Sequence, residues 1–214
     1  MTRFAPKALV LAICALPVAL QAAEAKTSPV KSNDFSYNHA QLGYVMQDWD
    51  GAFDVDAIDA QLSMAIDEHL FLRGQFQVFD GDFDVGFVDA DTDGWLLGAG
   101  VGFNTPLADD LDLVVTGDLV HIKYENDGYR VFGVRVANVD DDDTGIRLTG
   151  GVRMRATQEL ELAGGVYLND VGPQDDIGLF GDALLHLNDQ FDVGAGVKLG
   201  GDLTEFGVFG RYNF

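Results

Sequence analysis

From Phe35 to Phe214 the chain repeats one pattern: runs of ten to fourteen residues in which apolar side chains alternate with polar or small ones, separated by clusters of Asp, Gly, Asn and Pro. Alternation with a period of two marks a strand that buries one face. Ten such runs can be read, at about 36–47, 54–66, 70–80, 93–104, 111–124, 144–156, 158–168, 177–188, 191–201 and 203–214. In the third, Leu70, Leu72, Gly74, Phe76 and Val78 share one face, and Phe71, Arg73, Gln75, Gln77 and Phe79 the other. In the ninth, Phe191, Val193, Ala195, Val197 and Leu199 oppose Asp192, Gly194, Gly196, Lys198 and Gly200. The run length suits a tilted strand that crosses a membrane, which needs about 9–11 residues.

The connections alternate in length. Asp67-Glu68-His69, the neighbourhood of Thr157 and Asn188-Asp189-Gln190 are short, whereas 48–53, 81–92, 125–143 and 169–176 are longer and acidic. Asp202 sits in a tight connection on the long side and is the exception. Tyr129 to Asn138 also alternates. Counted as a strand it would make eleven, so the pattern there reads as a hairpin-like extension inside a long loop. The predicted fold is all-β: a closed, antiparallel, up-and-down transmembrane barrel of ten strands, with eight as the alternative if two runs are dropped.

Alternation alone does not say which face looks outward. Three features do. The polar face is rich in glycine, at Gly98, Gly100, Gly102, Gly194, Gly196, Gly200 and Gly207, and glycine belongs where space is short, as in a narrow lumen. That face also carries charges of both signs, which can pair only if they converge. Finally, Phe206, Val208, Gly210, Tyr212 and Phe214 share one face of the last run, with aromatic residues at its ends as in a membrane-interface girdle. The predicted lumen is therefore lined by Asp59, Arg73, Gln75, Gln77, Asp118, Arg147, Arg153, Arg155, Glu161, Asp182, Asp192, Lys198, Glu205 and Arg211. Leu70, Phe76, Trp95, Leu113, Val115, Ile146, Leu148, Leu160, Leu162, Leu185 and Phe206 form the apolar band.

Residues 1–25 read as a cleaved secretory signal: Arg3 and Lys7 precede an apolar stretch from Ala8 to Leu20, and Ala23-Glu24-Ala25 offers a cleavage pattern. Residues 26–34 form a polar lead-in, and 35–214 the barrel domain. The only cysteine, Cys14, lies in the leader, so no disulfide framework is expected. The net charge of −22 argues against a nucleic-acid partner.

Candidate chemistry is sparse. Asp89-Ala90-Asp91-Thr92-Asp93-Gly94 matches the opening of an EF-hand loop, but the twelfth position is Gly100 where a bidentate Glu is required. Asp89, Asp91 and Asp93 are thus a weak site for divalent cations in an acidic loop, alongside the run Asp140–Asp143. Gly98-Ala-Gly-Val-Gly102 lacks the helix and Lys of a phosphate loop. The histidines are His39, His69, His121 and His186, and the serines Ser28, Ser32, Ser36 and Ser63. Asp182 and His186 share the inward face, but four residues along a strand is about 13 Å, beyond hydrogen-bond reach. No catalytic residue and no cofactor is expected.

The signal-like start, amphipathic runs, a Ser36-Tyr37-Asn38 opening, Asp-rich loops and a last strand ending Tyr212-Asn213-Phe214 resemble the small outer-membrane β-barrel proteins, the OmpA/OmpX-like group, over about 35–214. The resemblance implies that Tyr212 and Phe214 carry part of the signal read by the outer-membrane assembly machinery. It implies partners in outer-membrane lipid and lipopolysaccharide of a Gram-negative bacterium. No domain is expected beyond Phe214, so the anchoring role of two-domain members does not carry over. The function expected is a structural or surface barrel that can serve as a narrow, low-selectivity pore. The alternative is an adhesin or partner-binding surface protein acting through acidic outside loops, and the remote alternative an outer-membrane enzyme.

Overall fold

The computed structural model describes residues 35–49, 53–85, 88–131, 134–172 and 175–214, and their side chains except at 53, 82–91 and 126–139. The leader at 1–25 and the lead-in at 26–34 lie outside the described residues. Ten strands follow one another: β1 (His39–Trp49), β2 (Phe53–Ala65), β3 (Leu70–Val85), β4 (Val88–Ala108), β5 (Leu111–Val131), β6 (Val134–Arg155), β7 (Leu160–Asp170), β8 (Asp176–His186), β9 (Phe191–Leu199) and β10 (Leu203–Asn213). Each pairs antiparallel with its sequence neighbours. β10 closes on β1 from His39↔Asn213 to Trp49↔Leu203, so the barrel has no free edge along this seam. Closure matters because lipid offers no partner to an unpaired backbone group.

The period-two pattern sorts side chains as a membrane barrel requires. Leu42, Tyr44, Met46, Leu70, Leu72, Leu97, Val101, Leu119, Ile146, Leu148, Val166 and Leu179 point out and are exposed. Asp59, Gln77, Asn104, Asp112, Thr116, Glu161 and Asp192 are buried. This inverts the arrangement of a soluble protein, which hides its apolar side chains and wets its polar ones.

One end of the barrel is made of short turns with local acceptors. Asp67 Oδ1 accepts from the His69 and Leu70 amides, Thr157 Oγ1 from Glu159 and Leu160, and Asn188 Oδ1 from Gln190 and Phe191. The same side-chain turn thus closes three hairpins, which explains why an Asp, Thr or Asn opens each. Asp109-Asp110 makes the fourth.

The other end differs from the sequence reading. Segments 81–92 and 125–143, expected as loops with a hairpin-like extension over Tyr129–Asn138, are the paired tips of long hairpins. β3 continues to Val85 against Val88, and β5 to Val131 against Val134. β5 and β6 reach 21 and 22 residues, against 11 for β1, β7 and β8. Only about ten residues are needed to span the membrane, so β3–β6 stand well beyond it. The acids suggested a loop, but an exposed carboxylate is tolerated on the wet face of a strand, and valine favours pairing at each tip. The alternation over Tyr129–Asn138 belongs to this extension.

A second difference concerns the start. Residues 36–38, expected in the first strand, precede β1. They cross the mouth at the short-turn end, and Phe35, Tyr37 and Phe71 form a buried cluster there with Ala65 and Val114 against it.

Candidate functional site in the lumen

Every residue predicted to line the lumen has inward parity in its strand, because the register keeps each run in phase with its neighbours. Three groups of contacts divide the interior by height.

Near mid-height a polar chain crosses the lumen. Arg147 donates from Nε to Asn169 Oδ1 on β7 and from Nη1 to Gln75 Oε1 on β3, both at 2.7 Å. Gln75 Nε2 donates to Asp59 Oδ1, and Gln61 Nε2 to Asp59 Oδ2, at 2.6 Å each. Arg73 donates to Thr116 Oγ1 at 2.7 Å and lies 3.6 Å from Asp118. Toward the long-hairpin end, Lys198 pairs with Glu205 at 2.7 Å, and Gln47 donates to the other Glu205 oxygen.

The short-turn end is the most crowded. Arg153 binds Glu161 through both Nε and Nη2. His186 Nδ1 is 2.8 Å from Asp192 Oδ1, and Asn213 Nδ2 donates to Asp192 Oδ2. Arg211 donates to Gln41 Oε1. Buried ions cost several kcal/mol each unless paired and hydrogen-bonded, and breaking such a pair strands the survivor. Here the pairs are built between adjacent strands, so correct register and charge satisfaction support each other.

The strap across the mouth is tied to this layer. The Arg153 guanidinium lies 5.0 Å from the Phe35 ring centroid and 4.9 Å from that of Tyr37, and it donates to the Ser36 carbonyl. Arg155 lies 5.2 Å from the Phe35 centroid. Tyr37 stacks on Phe71 at 4.8 Å and donates its hydroxyl to Asp112 at 2.8 Å. Burial, helped by that carboxylate, raises the Tyr37 hydroxyl's pKa above its ordinary value, so it remains a donor at any physiological pH.

Between these layers runs an elongated cavity of about 300 Å³, lined from Trp49, Gln47 and Lys198 at one end to Tyr37, Phe71 and Glu161 at the other. Its surface offers amides and charges of both signs. Glycine makes room for the larger side chains: a Cβ at Gly102 would overlap the Phe71 ring, and one at Gly100 the Asp118 carboxylate. At Gly98 and Gly207 a Cβ would meet only ordinary contacts, so crowding does not account for glycine at those two positions.

Other candidates sit elsewhere. Asp182 lines the cavity, and His186 takes Asp192, not Asp182, as its carboxylate partner. His69 contacts the Asn104 carbonyl in a turn. His121 faces outward, 2.9 Å from Thr144 Oγ1 and with its ring 5.4 Å from Trp95. The EF-hand-like string lies in β4, not in a loop. An extended backbone advances about 3.3 Å per residue and cannot wrap an ion as that loop does. The side chains of Asp89 and Asp91 lie outside the described ones, and Asp93 is exposed. Among the described residues no cluster of three or more His, Cys, Asp or Glu is arranged to hold a metal ion. Phe35, Tyr37, Gln41, Gln47, Gln61 and Asp112 were missing from the sequence-derived set. Inward parity would have found them, whereas no periodicity announces that Phe35 and Tyr37 leave the ladder to cross the mouth.

At the long-hairpin end, register sets Asp56, Asp80, Asp93, Glu125 and Asp140 side by side on five consecutive strands, on the outward face. Lys123 lies one step nearer the apolar band and pairs with Glu125 at 2.8 Å.

An apolar exterior, a closed ladder and a charged, hydrogen-bonded interior define an integral membrane β-barrel. The chain belongs to the outer membrane protein beta-barrel domain family, whose model matches residues 8–198. The translocator domain of the autotransporter NalP from Neisseria meningitidis has a similar fold: 13% identity, 96% of this chain and 97% of that one covered, TM-score 0.52. The beta domain of the Bordetella autotransporter BrkA is similar at 13% identity, over 83% of this chain and 99% of that one, with a TM-score of 0.51. Among curated protein sequences none matches. The family places the barrel in the outer membrane. Its short-turn end is then periplasmic and its long hairpins outside, the asymmetry typical of such barrels.

Proposed function

We propose that this protein is a structural barrel of the cell surface whose lumen acts as a narrow pore of low selectivity, without a catalytic step. The observation that carries this reading is the Arg147 bridge, which ties β6 and β7 to β3 across the interior and narrows it to the elongated cavity that it lines. Ten strands enclose a space between that of filled eight-stranded barrels and that of water-filled porins. Cations and carboxylates alternate along the path, which disfavours strong discrimination by charge. Refolded protein in planar bilayers should give small unit conductances with weak ion selectivity, and Arg147→Ala should enlarge them. Conductance of general-porin size, or strict selectivity for one sign of charge, would contradict the reading.

A second reading is favoured by the outer extension of β3–β6: an acidic sheet that meets partners at the surface. Like charges opposite one another across strands repel; Lys123 offsets Glu125 at one point of the row, and cations from solution would add to that compensation. Divalent cations would bridge the row to the phosphates of lipopolysaccharide. Calorimetry that finds no calcium uptake by the folded protein at about millimolar concentration, the weak end of natural calcium sites, would remove this bridge.

A further inference from the structure

We infer that Phe35–Asn38 is a releasable strap that closes the periplasmic mouth of the lumen. The inference rests on the pore reading and adds its regulation. The cavity ends on this segment: Tyr37 and its stacking partner Phe71 are part of the lining, so the strap is the floor of the path. Phe35 and Tyr37 are buried at 0% and 4% exposure, and lie between the lumen and the periplasmic side.

The way the strap is held distinguishes it from the wall. β1 begins only at His39, and its pairing with β10 and β2 is complete from that residue on. The strap is fastened by side chains and by two main-chain contacts outside that ladder, a bridge at Phe35 and the Phe214 amide donating to the Asn38 carbonyl. Arg153 grips both rings and the Ser36 carbonyl. Tyr37 reaches Asp112, Ser63 donates to the Tyr37 carbonyl, and Asn38 Oδ1 accepts from the Ala65 amide. All of these contacts lie outside the β1–β10 and β1–β2 ladders, which begin at His39. Arg153 also keeps Glu161 when the strap leaves, so release does not strand that guanidinium.

The geometry therefore separates two quantities. The Arg147 bridge sets how wide the path is, and the strap sets how often it is open. Opening leaves the β1 ladders as they are and exchanges the aromatic and hydrogen-bond contacts of Phe35–Asn38 for water.

The test compares full-length protein with Phe35→Ala and with Phe35→Ala/Tyr37→Ala, each refolded in lipid and checked for heat-modifiable migration. Two readouts are taken: the open fraction in planar bilayers, and the reaction of a single thiol at Val114→Cys with a charged, membrane-impermeant methanethiosulfonate. Val114 packs against the strap cluster, and the native Cys14 is removed in every variant. The expected result is a rise of tenfold or more in both thiol reactivity and open fraction, with the unit conductance unchanged in Phe35→Ala, since the Phe35 ring is not part of the lining. If the double variant does not refold, the single one carries the comparison, because it leaves the Tyr37–Asp112 bond in place. Faster labelling with no conductance in any variant keeps the strap as a seal and overturns the pore reading. Unchanged labelling and open fraction in a conducting barrel overturn the strap and leave the pore reading standing.

Discussion

Leu148 and Thr149 are neighbours on β6, yet they belong to different solvents. Leu148 is 48% exposed on the outer face, while Thr149 lines the cavity. An Arg on the lipid face of a barrel costs about 2–4 kcal/mol near the bilayer midplane. Leu148→Arg should lose stability of that order in urea unfolding from lipid vesicles. Thr149→Arg adds a cation to an interior that already holds carboxylates, and should lose less. The opposite order would mean that the two faces have been interchanged. At this scale the sequence was informative because parity is strict: once one strand is phased, every charge on it is assigned. Parity says nothing about partners across the lumen. That Arg147 reaches Gln75, or that Arg153 holds Glu161 together with two aromatic rings, follows from curvature and side-chain length, which no linear pattern encodes.

Among the elements, β10 and the β5–β6 hairpin make opposite contributions. β10 supplies the seam, with eleven residues in register with β1. Its end carries the Tyr212 ring 5.2 Å from Phe191 and 6.3 Å from Phe214, and the Phe214 amide donates to the Asn38 carbonyl. Residues 140–143 lie on the exposed outer part of β6, past the last residue that β7 pairs. Deleting Phe214 should therefore reduce the yield of assembled, heat-modifiable barrel far more than deleting Asp141. Equal yields would separate assembly from the closing strand. The ten runs were legible because turn-forming clusters interrupt them at the short-turn end. The outer limits of β3–β6 were not, since acidic residues are compatible with a loop and with a solvated strand alike, and only the register decides between them. The strap was misassigned for a related reason: Phe35 and Tyr37 keep the period of β1 while leaving its ladder.

For the whole molecule, the central claim is that apolar side chains face lipid around a polar lumen. The chain carries two tryptophans, and the fold puts them on opposite faces. Trp95 has the outward parity of β4 and packs beside His121, whereas Trp49 ends β1 among the residues lining the cavity. Indole rings favour the membrane interface when they face lipid. The most direct test is fluorescence quenching of the Trp49→Phe and Trp95→Phe proteins, refolded in vesicles whose acyl chains are brominated close to the headgroup. The structure predicts strong quenching in Trp49→Phe, where Trp95 remains, and weak quenching in Trp95→Phe, where Trp49 remains. Strong quenching of Trp49 with Trp95 untouched would show the barrel inside out, and the absence of quenching in both would contradict a membrane-spanning barrel altogether.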